Sequence, residues 1–313
     1  MSLIAAGGRY SAIKLFLSGI DDMKNTVVAL GFFDGVHIGH KRILETAVRI
    51  AKEKDCIPAA CTFDIHPRAF VHGVAPAMLC TLNQRVELIK AQGIEQVAIL
   101  EFNEKMASMT PSEFATLLKE KYNCKYAVCG KNFRFGYKAQ GTPESLQEYG
   151  IEAIICDHVE DDGGVVSSTR IRKLLTEGDA VYAARLLDRP YTLTGKVVDG
   201  FKLGRQMGRP TMNLKPDSGL LIPQNGVYAS RVEIDTNTYD SITNIGTRPT
   251  FSSDDIISIE THILGFSEMI YGKYVSLQLI EKVRGERVYA DYNELIEQIN
   301  KDIEKTEAIL KRG

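Results

Sequence analysis

The chain has 313 residues, of which 44% are hydrophobic and 25% are charged, and its formal net charge at pH 7 is −2. This size and composition indicate a globular protein of more than one domain, and the balanced charge argues against binding of nucleic acid or of an anionic membrane surface. No apolar run approaches the roughly 18–20 residues of a membrane-spanning helix, and the first residues show no signal-peptide pattern.

The six cysteines lie in the first half of the chain, and no two of them form a C-x-x-C pair. We therefore expect reduced, buried thiols and a cytoplasmic location, because disulfides are rare in the cytosol. A homo-oligomer is compatible with the sequence, which leaves the oligomeric state open.

Up to about residue 187, short apolar runs alternate with helical patterns. The predicted strands are 27–30, 57–63, 96–102, 126–130 and 152–159, and the predicted helices are 41–54, 82–92, 111–122, 143–149 and 169–187. This alternation predicts right-handed βαβ units and a parallel, Rossmann-like sheet. Such sheets bind ligands at the carboxyl ends of their strands.

The segment "GFFDGVHIGH" (31–40) joins the first predicted strand to the first predicted helix. Its glycines permit tight turning and close backbone approach, and a helix N-terminus offers unpaired N–H groups to an anion. His37 and His40 are three residues apart and can share one helix face. The segment therefore predicts a phosphate cradle, the alternative being a glycine-rich turn with incidental histidines.

A second polar segment, "VSSTRIR" (166–172), stands at the start of the predicted helix 169–187. Read alone, its serines and threonine are typical of an ordinary helix N-cap.

From about residue 190 the hydrophobic pattern alternates with period two, as in "TLTGKVV", "YASRVEID", "SIETHIL" and "YVSLQLI". Several short strands separated by Gly, Pro and Asn predict a small antiparallel β-barrel. The chain ends in a helical pattern whose apolar stripe is expected to pack on the barrel; it comprises Leu295, Ile296, Ile299, Ile303 and Leu310.

The loop "KLGRQMGRPTMNL" (202–214) combines glycines and basic residues with Thr211 and Asn213. A hydroxyl and an amide oxygen suit Mg²⁺, although both side chains can instead make local turn bonds. On the alternating strand "SIETHIL", Glu260 shares a face with His262, while Ile259 and Ile263 lie on the other face. Without further context, such a glutamate is most often simply solvated.

Several of these segments resemble known family signatures. His37, Gly39 and His40 are similar to the H-x-G-H signature of the nucleotidylyltransferase superfamily, and 166–172 is similar to its I-S-S-T-x-I-R signature. "TFDIHPRAF" (62–70) and "CGKNFRFGYKAQGT" (129–142) resemble bacterial FAD synthetases, with Ile65 at a usual proline position. P-T-x-N (210–213), "NGVYA", "NIGTRPTF", "ETHIL" and "VRGERVY" resemble riboflavin kinases in the same order.

The resemblance implies a bifunctional riboflavin kinase/FAD synthetase, with an FMN adenylyltransferase domain at 1–187 and a riboflavin kinase domain at 188–313. Its substrates and products would be riboflavin, ATP, FMN and FAD. The alternatives are a chain that retains one activity, such as the kinase alone, and a flavin-responsive binding or regulatory protein.

The resemblance also assigns site residues. Glu260 would be the general base of the kinase, His37 and His40 would stabilise charge during adenylyl transfer, and Thr211 and Asn213 would hold Mg²⁺. The implied ATP-binding residues are Gly31, Phe33, Asp34, Gly35, Gly39, Ser168, Thr169, Arg172, Lys202, Gly204 and Gly208. The implied flavin-binding residues are Asp64, His66, Pro67, Asn132, Arg284 and Glu286.

Overall fold

The structure, a computed structural model, describes residues 24–199, 210–248 and 256–312. The described residues form two units, one made of 24–76 and 82–166, the other of 77–81 and the described residues from 167 onward. The predicted helix 169–187 thus falls in the second unit, where its C-terminal half packs against strands of the barrel. The domain boundary at 187/188 stays a prediction.

A parallel sheet forms the centre of the first unit, and its strand order is β3-β2-β1-β4-β5. The strands are β1 Thr26–Leu30, β2 Ile57–Phe63, β3 Gln96–Leu100, β4 Cys124–Gly130 and β5 Glu152–Cys156. Alternate residues of β1 enter core clusters on opposite faces of the sheet, Val27 and Ala29 on one and Val28 and Leu30 on the other. This burial on both faces explains why β1 is apolar from Val27 to Leu30.

Helices cover this sheet. They are α1 Ile38–Glu53, α2 Pro67–His72, α3 Leu82–Lys90, α4 Glu104–Ser108 and α5 Pro111–Tyr122, together with 3₁₀ turns at Tyr137–Ala139 and Glu144–Tyr149. The N-terminus of α5 is fixed by a capping box between Thr110 and Glu113, in which each side chain satisfies a backbone N–H of the other residue. Two short helices, α2 and α4, were not predicted, because one turn of helix shows no periodicity.

After a short hairpin of β6 Glu160–Asp161 and β7 Gly164–Val165, the chain forms α6 Ser168–Thr176 and α7 Ala180–Leu187. The prediction of one continuous helix at 169–187 is wrong. Gly178 breaks it with φ +84°, and a Cβ there would lie 2.6 Å from the Gln224 side chain. Asp179 then caps α7 by accepting the Tyr182 N–H at 2.9 Å.

The second unit contains a closed barrel with the strand order β10-β11-β12-β9-β8-β13. Its strands are β8 Tyr191–Val198, β9 Met212–Pro216, β10 Gly226–Ile234, β11 Asn237–Arg248, β12 Ile256–Ile263 and β13 Tyr274–Arg284, and α8 Tyr292–Leu310 packs on the barrel. The parallel sheet and this barrel confirm the predicted fold class. The buried face of α8 differs from the expected stripe, since Leu295, Ile296 and Ile299 are only half-buried while Asp302 and Thr306 are buried.

Buried hydroxyl groups cross the barrel interior from β10 to β12. Ser230 Oγ lies 2.8 Å from Ser241 Oγ and 2.7 Å from Thr243 Oγ1, which lies 2.8 Å from Thr261 Oγ1. All four residues are fully buried. Because each hydroxyl has a partner only in this register, the network favours one alignment of these strands.

Candidate active sites

The segment 31–37 leaves the end of β1 and leads into α1 in the first unit. β1 pairs with β2 on one side and with β4 on the other, so this loop lies where the strand order reverses, which is the usual ligand position in such sheets. Phe33, Gly35 and Val36 have φ values of 58°, 77° and 39°. A β-branched residue such as Val36 rarely adopts positive φ, and strained backbone of this kind clusters at functional sites.

Side chains as well as backbone hold this loop. Phe33, Asp34, Val36 and His37 are buried. A Cβ on Gly31 would lie 2.8 Å from the Phe33 ring, so glycine is needed where the ring folds back.

His37 is the N-cap of α1, and its Nδ1 accepts the backbone N–H of His40 at 3.3 Å. In the neutral ring the proton therefore resides on Nε2, which makes that nitrogen the hydrogen-bond donor. A Cβ on Gly39 would approach the ring carbon Cε1 of His37 to 3.1 Å. Glycine at this position thus lets the ring sit over the first turn of the helix.

His40 stacks on His37 with ring centroids 3.6 Å apart and planes 18° apart. Burial lowers the pKa of His40 well below its ordinary value of 6.5, and the charges of His37 and Arg85 lower it further. Its Nδ1 is buried and, among the described residues, has no hydrogen-bond partner. At neutral pH this ring is uncharged, so it can donate one ring N–H to an anion but brings no positive charge.

The predicted flavin residues of the first unit follow β2 and β4, the two strands that flank β1, at the same edge of the sheet. Asp64 Oδ1 accepts the N–H groups of Ile65 at 2.8 Å and of Phe102 at 2.9 Å, which joins the ends of β2 and β3. His66 caps α2 by accepting the Arg68 N–H at 3.1 Å, with Pro67 in the first turn. Asn132 follows β4 and is exposed.

Ser168, Thr169 and Arg172 lie on α6 and belong to the second unit. The N-cap is Ser167, whose Oγ accepts the Arg170 N–H at 3.3 Å. Arg172 Nε donates to the Ala77 carbonyl at 2.6 Å. Contact of these three residues with a triphosphate stays a prediction.

Glu260 lies on the outward face of β12, between two asparagines on neighbouring strands. It pairs directly with Asn213 of β9 and with Asn244 of β11. Its Oε1 accepts the hydroxyl of Ser258 at 3.1 Å. The prediction that Glu260 and His262 lie on the face opposite Ile259 and Ile263 is confirmed. The two isoleucines are buried, whereas Glu260 and His262 are only partly buried.

Thr211 and Asn213 share the outward face of their segment, because they alternate with the buried Met212 and Leu214. His262 Nδ1 lies 2.9 Å from the Pro210 carbonyl and ties β12 to the start of this segment. Three oxygen-bearing side chains, Thr211, Asn213 and Glu260, thus lie on one face of adjacent strands. Lys202, Gly204 and Gly208 lie outside the described residues.

A cavity of about 350 Å³ opens beside Thr211 in the second unit. Its walls include Pro210, Thr211, Met212 and the residues of the β12–β13 connection from Phe266 to Tyr271, and Thr261 also lines it. Its size is typical of a small-molecule pocket.

Two family models match the chain in tandem, FAD synthetase over residues 20–170 and riboflavin kinase over 187–310. A relative from Bacillus subtilis, the bifunctional riboflavin kinase/FMN adenylyltransferase, is 34% identical over 296 residues, which cover 92% of this chain and 93% of the relative. The chain belongs to the bifunctional riboflavin kinase/FMN adenylyltransferase family. The Escherichia coli K12 relative is 32% identical over 88% of this chain and 90% of its own length.

A solved structure described as a macrolide-efflux protein from Streptococcus pneumoniae has the same fold, with a TM-score of 0.86 and 31% identity over 91% of this chain and 94% of that one. In the described residues of the present family member, no helix is both long and apolar enough to cross a membrane.

Within this family member, the two predicted flavin residues of the barrel are engaged in structural contacts. Arg284 Nε donates to both carboxylate oxygens of the buried Asp302, at 2.9 and 3.1 Å, which fastens α8 to β13. Glu286 Oε2 accepts the Asn225 side-chain N–H at 3.1 Å, and the same amide donates to Thr247 Oγ1 at 2.5 Å. Whether Arg284 and Glu286 also contact flavin stays a prediction.

Sequence reasoning assigned no role to Asn225 and Asn244. Both lie within the segments "NGVYA" and "NIGTRPTF" that resemble riboflavin kinases. The sequence does not reveal their partners: Glu286 is joined to Asn225 by a side-chain hydrogen bond, and Glu260 is joined to Asn244 by strand pairing.

Proposed function

We propose that this chain phosphorylates riboflavin with ATP to give FMN in its C-terminal part, and adenylylates FMN with a second ATP to give FAD and pyrophosphate in its N-terminal part. The main support for the proposal is the match of the two halves of the chain to two enzyme families, FAD synthetase and riboflavin kinase. Each half has its own set of polar site residues. We propose 1–187 and 188–313 as the corresponding domains, a cytoplasmic location and no nucleic-acid partner.

The kinase reaction requires a base, because the terminal ribityl hydroxyl of riboflavin is a poor nucleophile while it is protonated. Glu260 accepts that proton as the oxygen bonds to the γ-phosphorus of ATP and the bond to the β-phosphate oxygen breaks. The hydrogen bond from Ser258 to Oε1 helps to orient the carboxylate of Glu260.

Thr211 and Asn213 would hold Mg²⁺ in the kinase site. Their hydroxyl and amide oxygens are hard ligands, and Mg²⁺ usually completes its shell with substrate phosphates and water. The cation would neutralise charge on the ATP phosphates. We propose that Lys202, Gly204 and Gly208 cover these phosphates, and that the cavity beside Thr211 accepts the remainder of the nucleotide.

Adenylyl transfer makes a different demand, because the FMN phosphate, with a second pKa near 6, is already an anion at neutral pH. An oxygen of that phosphate attacks the α-phosphorus of ATP, and the bond to the β-phosphate oxygen breaks to release pyrophosphate. Nε2–H of His37 and of His40, together with the N-terminus of α1, would donate to the developing charge. One such donor is worth about 3–4 kcal/mol.

The other residues predicted for adenylyl transfer are assigned to its two substrates. We propose that the ATP is contacted by Gly31, Phe33, Asp34, Gly35, Gly39, Ser168, Thr169 and Arg172, and the flavin by Asp64, His66, Pro67 and Asn132. Arg284 and Glu286 would lie beside the flavin of the kinase site.

A time course tests the proposal. The protein is mixed with riboflavin, ATP and Mg²⁺, and the flavins are separated by chromatography. FMN is expected first and FAD second. Accumulation of FMN alone would indicate a chain that retains only the kinase, and binding of flavin without turnover would indicate a regulatory protein.

A further inference from the structure

Arg85 is an arginine in the interior of the first unit, on α3. It is 1% exposed. Arginine remains protonated at physiological pH, and a charge held away from water costs free energy unless specific contacts compensate for it. The placement of this charge therefore calls for a structural or functional reason.

The guanidinium of Arg85 contacts Phe32, the second residue of the loop that leads to His37. Its carbon Cζ lies 4.2 Å from the centroid of the Phe32 ring, and Nη1 donates to the Phe32 carbonyl at 3.0 Å. The Thr62 hydroxyl donates to the same carbonyl at 2.8 Å. Two donors on one carbonyl fix the orientation of the Phe32–Phe33 peptide.

That peptide immediately precedes Phe33, whose φ is 58°. The Phe33 ring packs edge-on against His40, with centroids 5.4 Å apart. The Phe32 ring packs in the same manner against His66 at 4.6 Å. Arg85 thus holds the Phe32–Phe33 peptide in place. The Phe33 ring contacts the stacked histidines, and the Phe32 ring contacts His66 in the segment after β2.

We propose that Arg85 is a positioning residue of the FMN adenylyltransferase site, where its guanidinium orients the Phe32 peptide and thereby the loop that carries His37 and His40. This role rests on the proposed function. Arg85 is too deeply buried to touch substrate, so it acts through the loop. Its fixed positive charge also makes this edge of the sheet more favourable for a polyphosphate.

The test compares Arg85→Met, Arg85→Lys and Thr62→Val with a matched control, Ile89→Val, in the full-length protein. Ile89 is buried on the same helix, and its truncation destabilises the unit without removing a donor to Phe32. For each variant, kcat and KM are measured for FAD formation from FMN and ATP, the rate of riboflavin phosphorylation is measured separately, and thermal unfolding is recorded.

Arg85→Met is expected to lower kcat for FAD formation at least tenfold, with riboflavin phosphorylation within twofold of the parent. Arg85→Lys, which keeps one donor and the charge, should recover most of the loss. Thr62→Val, which removes the second donor and no charge, should lower kcat severalfold. Ile89→Val should leave kcat within twofold even where its melting temperature falls.

A parental kcat in Arg85→Met, or in Thr62→Val if Arg85→Met does not fold, would overturn the positioning role. A loss in Ile89→Val equal to that in Arg85→Met would also overturn it, because the effect would then be one of stability. These results differ from failure of the proposed function, in which the parent protein itself makes no FAD.

Discussion

Glu260 and Asn213 face each other directly across the β12–β9 strand pair. Residues opposite each other in an antiparallel pair have Cβ atoms about 4.5–5.5 Å apart, so the proposed base and a proposed Mg²⁺ ligand are near neighbours. Deprotonation of the hydroxyl and neutralisation of the phosphates would thus take place at one point on the barrel surface.

Replacement of Asn213 tests the proposed cation site. Asn213→Ala is expected to raise the Mg²⁺ concentration for half-maximal riboflavin phosphorylation about tenfold, because it removes one oxygen ligand. FAD formation from FMN should keep the parental Mg²⁺ dependence. Asn237→Ala, at an exposed asparagine of the β10–β11 hairpin, is the control; an Asn213→Ala titration that superimposes on this control would contradict the assignment.

His40 makes the stability of the first unit depend on pH. The folded protein keeps this ring neutral, whereas the unfolded chain protonates it near pH 6.5. Below that pH the unfolded state binds more protons, so the free energy of unfolding falls as the pH falls towards the lowered pKa, by at most about 1.4 kcal/mol per pH unit.

His40→Phe keeps an aromatic ring and removes the titration. We expect a shallower loss of stability between pH 6.5 and the lowered pKa, measured by urea denaturation followed by circular dichroism. A variant whose free energy of unfolding has the parental pH slope would show that His40 is not held neutral.

Variants of the Arg284–Asp302 ion pair distinguish a structural role of Arg284 from a flavin-binding role. Removing one partner of a buried pair costs about 3–5 kcal/mol, and the partial exposure of Arg284, whose side chain is 22% exposed, places the expected loss at the lower end. Arg284→Met and Asp302→Asn should therefore lower the melting temperature similarly. If Arg284 also contacts flavin, Arg284→Met alone should raise the KM for riboflavin; equal KM values in both variants would contradict that contact.

Much of the fold follows from local pattern. β2 and α5 have their predicted bounds, 57–63 and 111–122, because a short, largely apolar run and a capping box are local signals. The break between α6 and α7 is not local, since the apolar periodicity continues through Gly178 and the break reflects its close approach to Gln224.

In the candidate sites, too, some features follow from local sequence and others depend on the fold. The motifs at 31–40 and 210–213 identify which residues to examine, but the acceptor role of His37 depends on helix geometry and the partners of Glu260 depend on strand register. Arg85 was missed for a related reason: one arginine in a helical pattern is usually solvated, and its burial is a property of the folded unit.

The central claim is that one polypeptide holds two independent phosphoryl-transfer sites, and two single variants test it most directly. Glu260→Gln and His40→Ala are each supplied with riboflavin and ATP, then with FMN and ATP, and the products are separated by chromatography. Glu260→Gln should lose riboflavin phosphorylation by about 10²–10⁴-fold and still make FAD from FMN, whereas His40→Ala should make FMN and stop. Loss of both reactions in either correctly folded variant, or parental phosphorylation by Glu260→Gln, would contradict the claim.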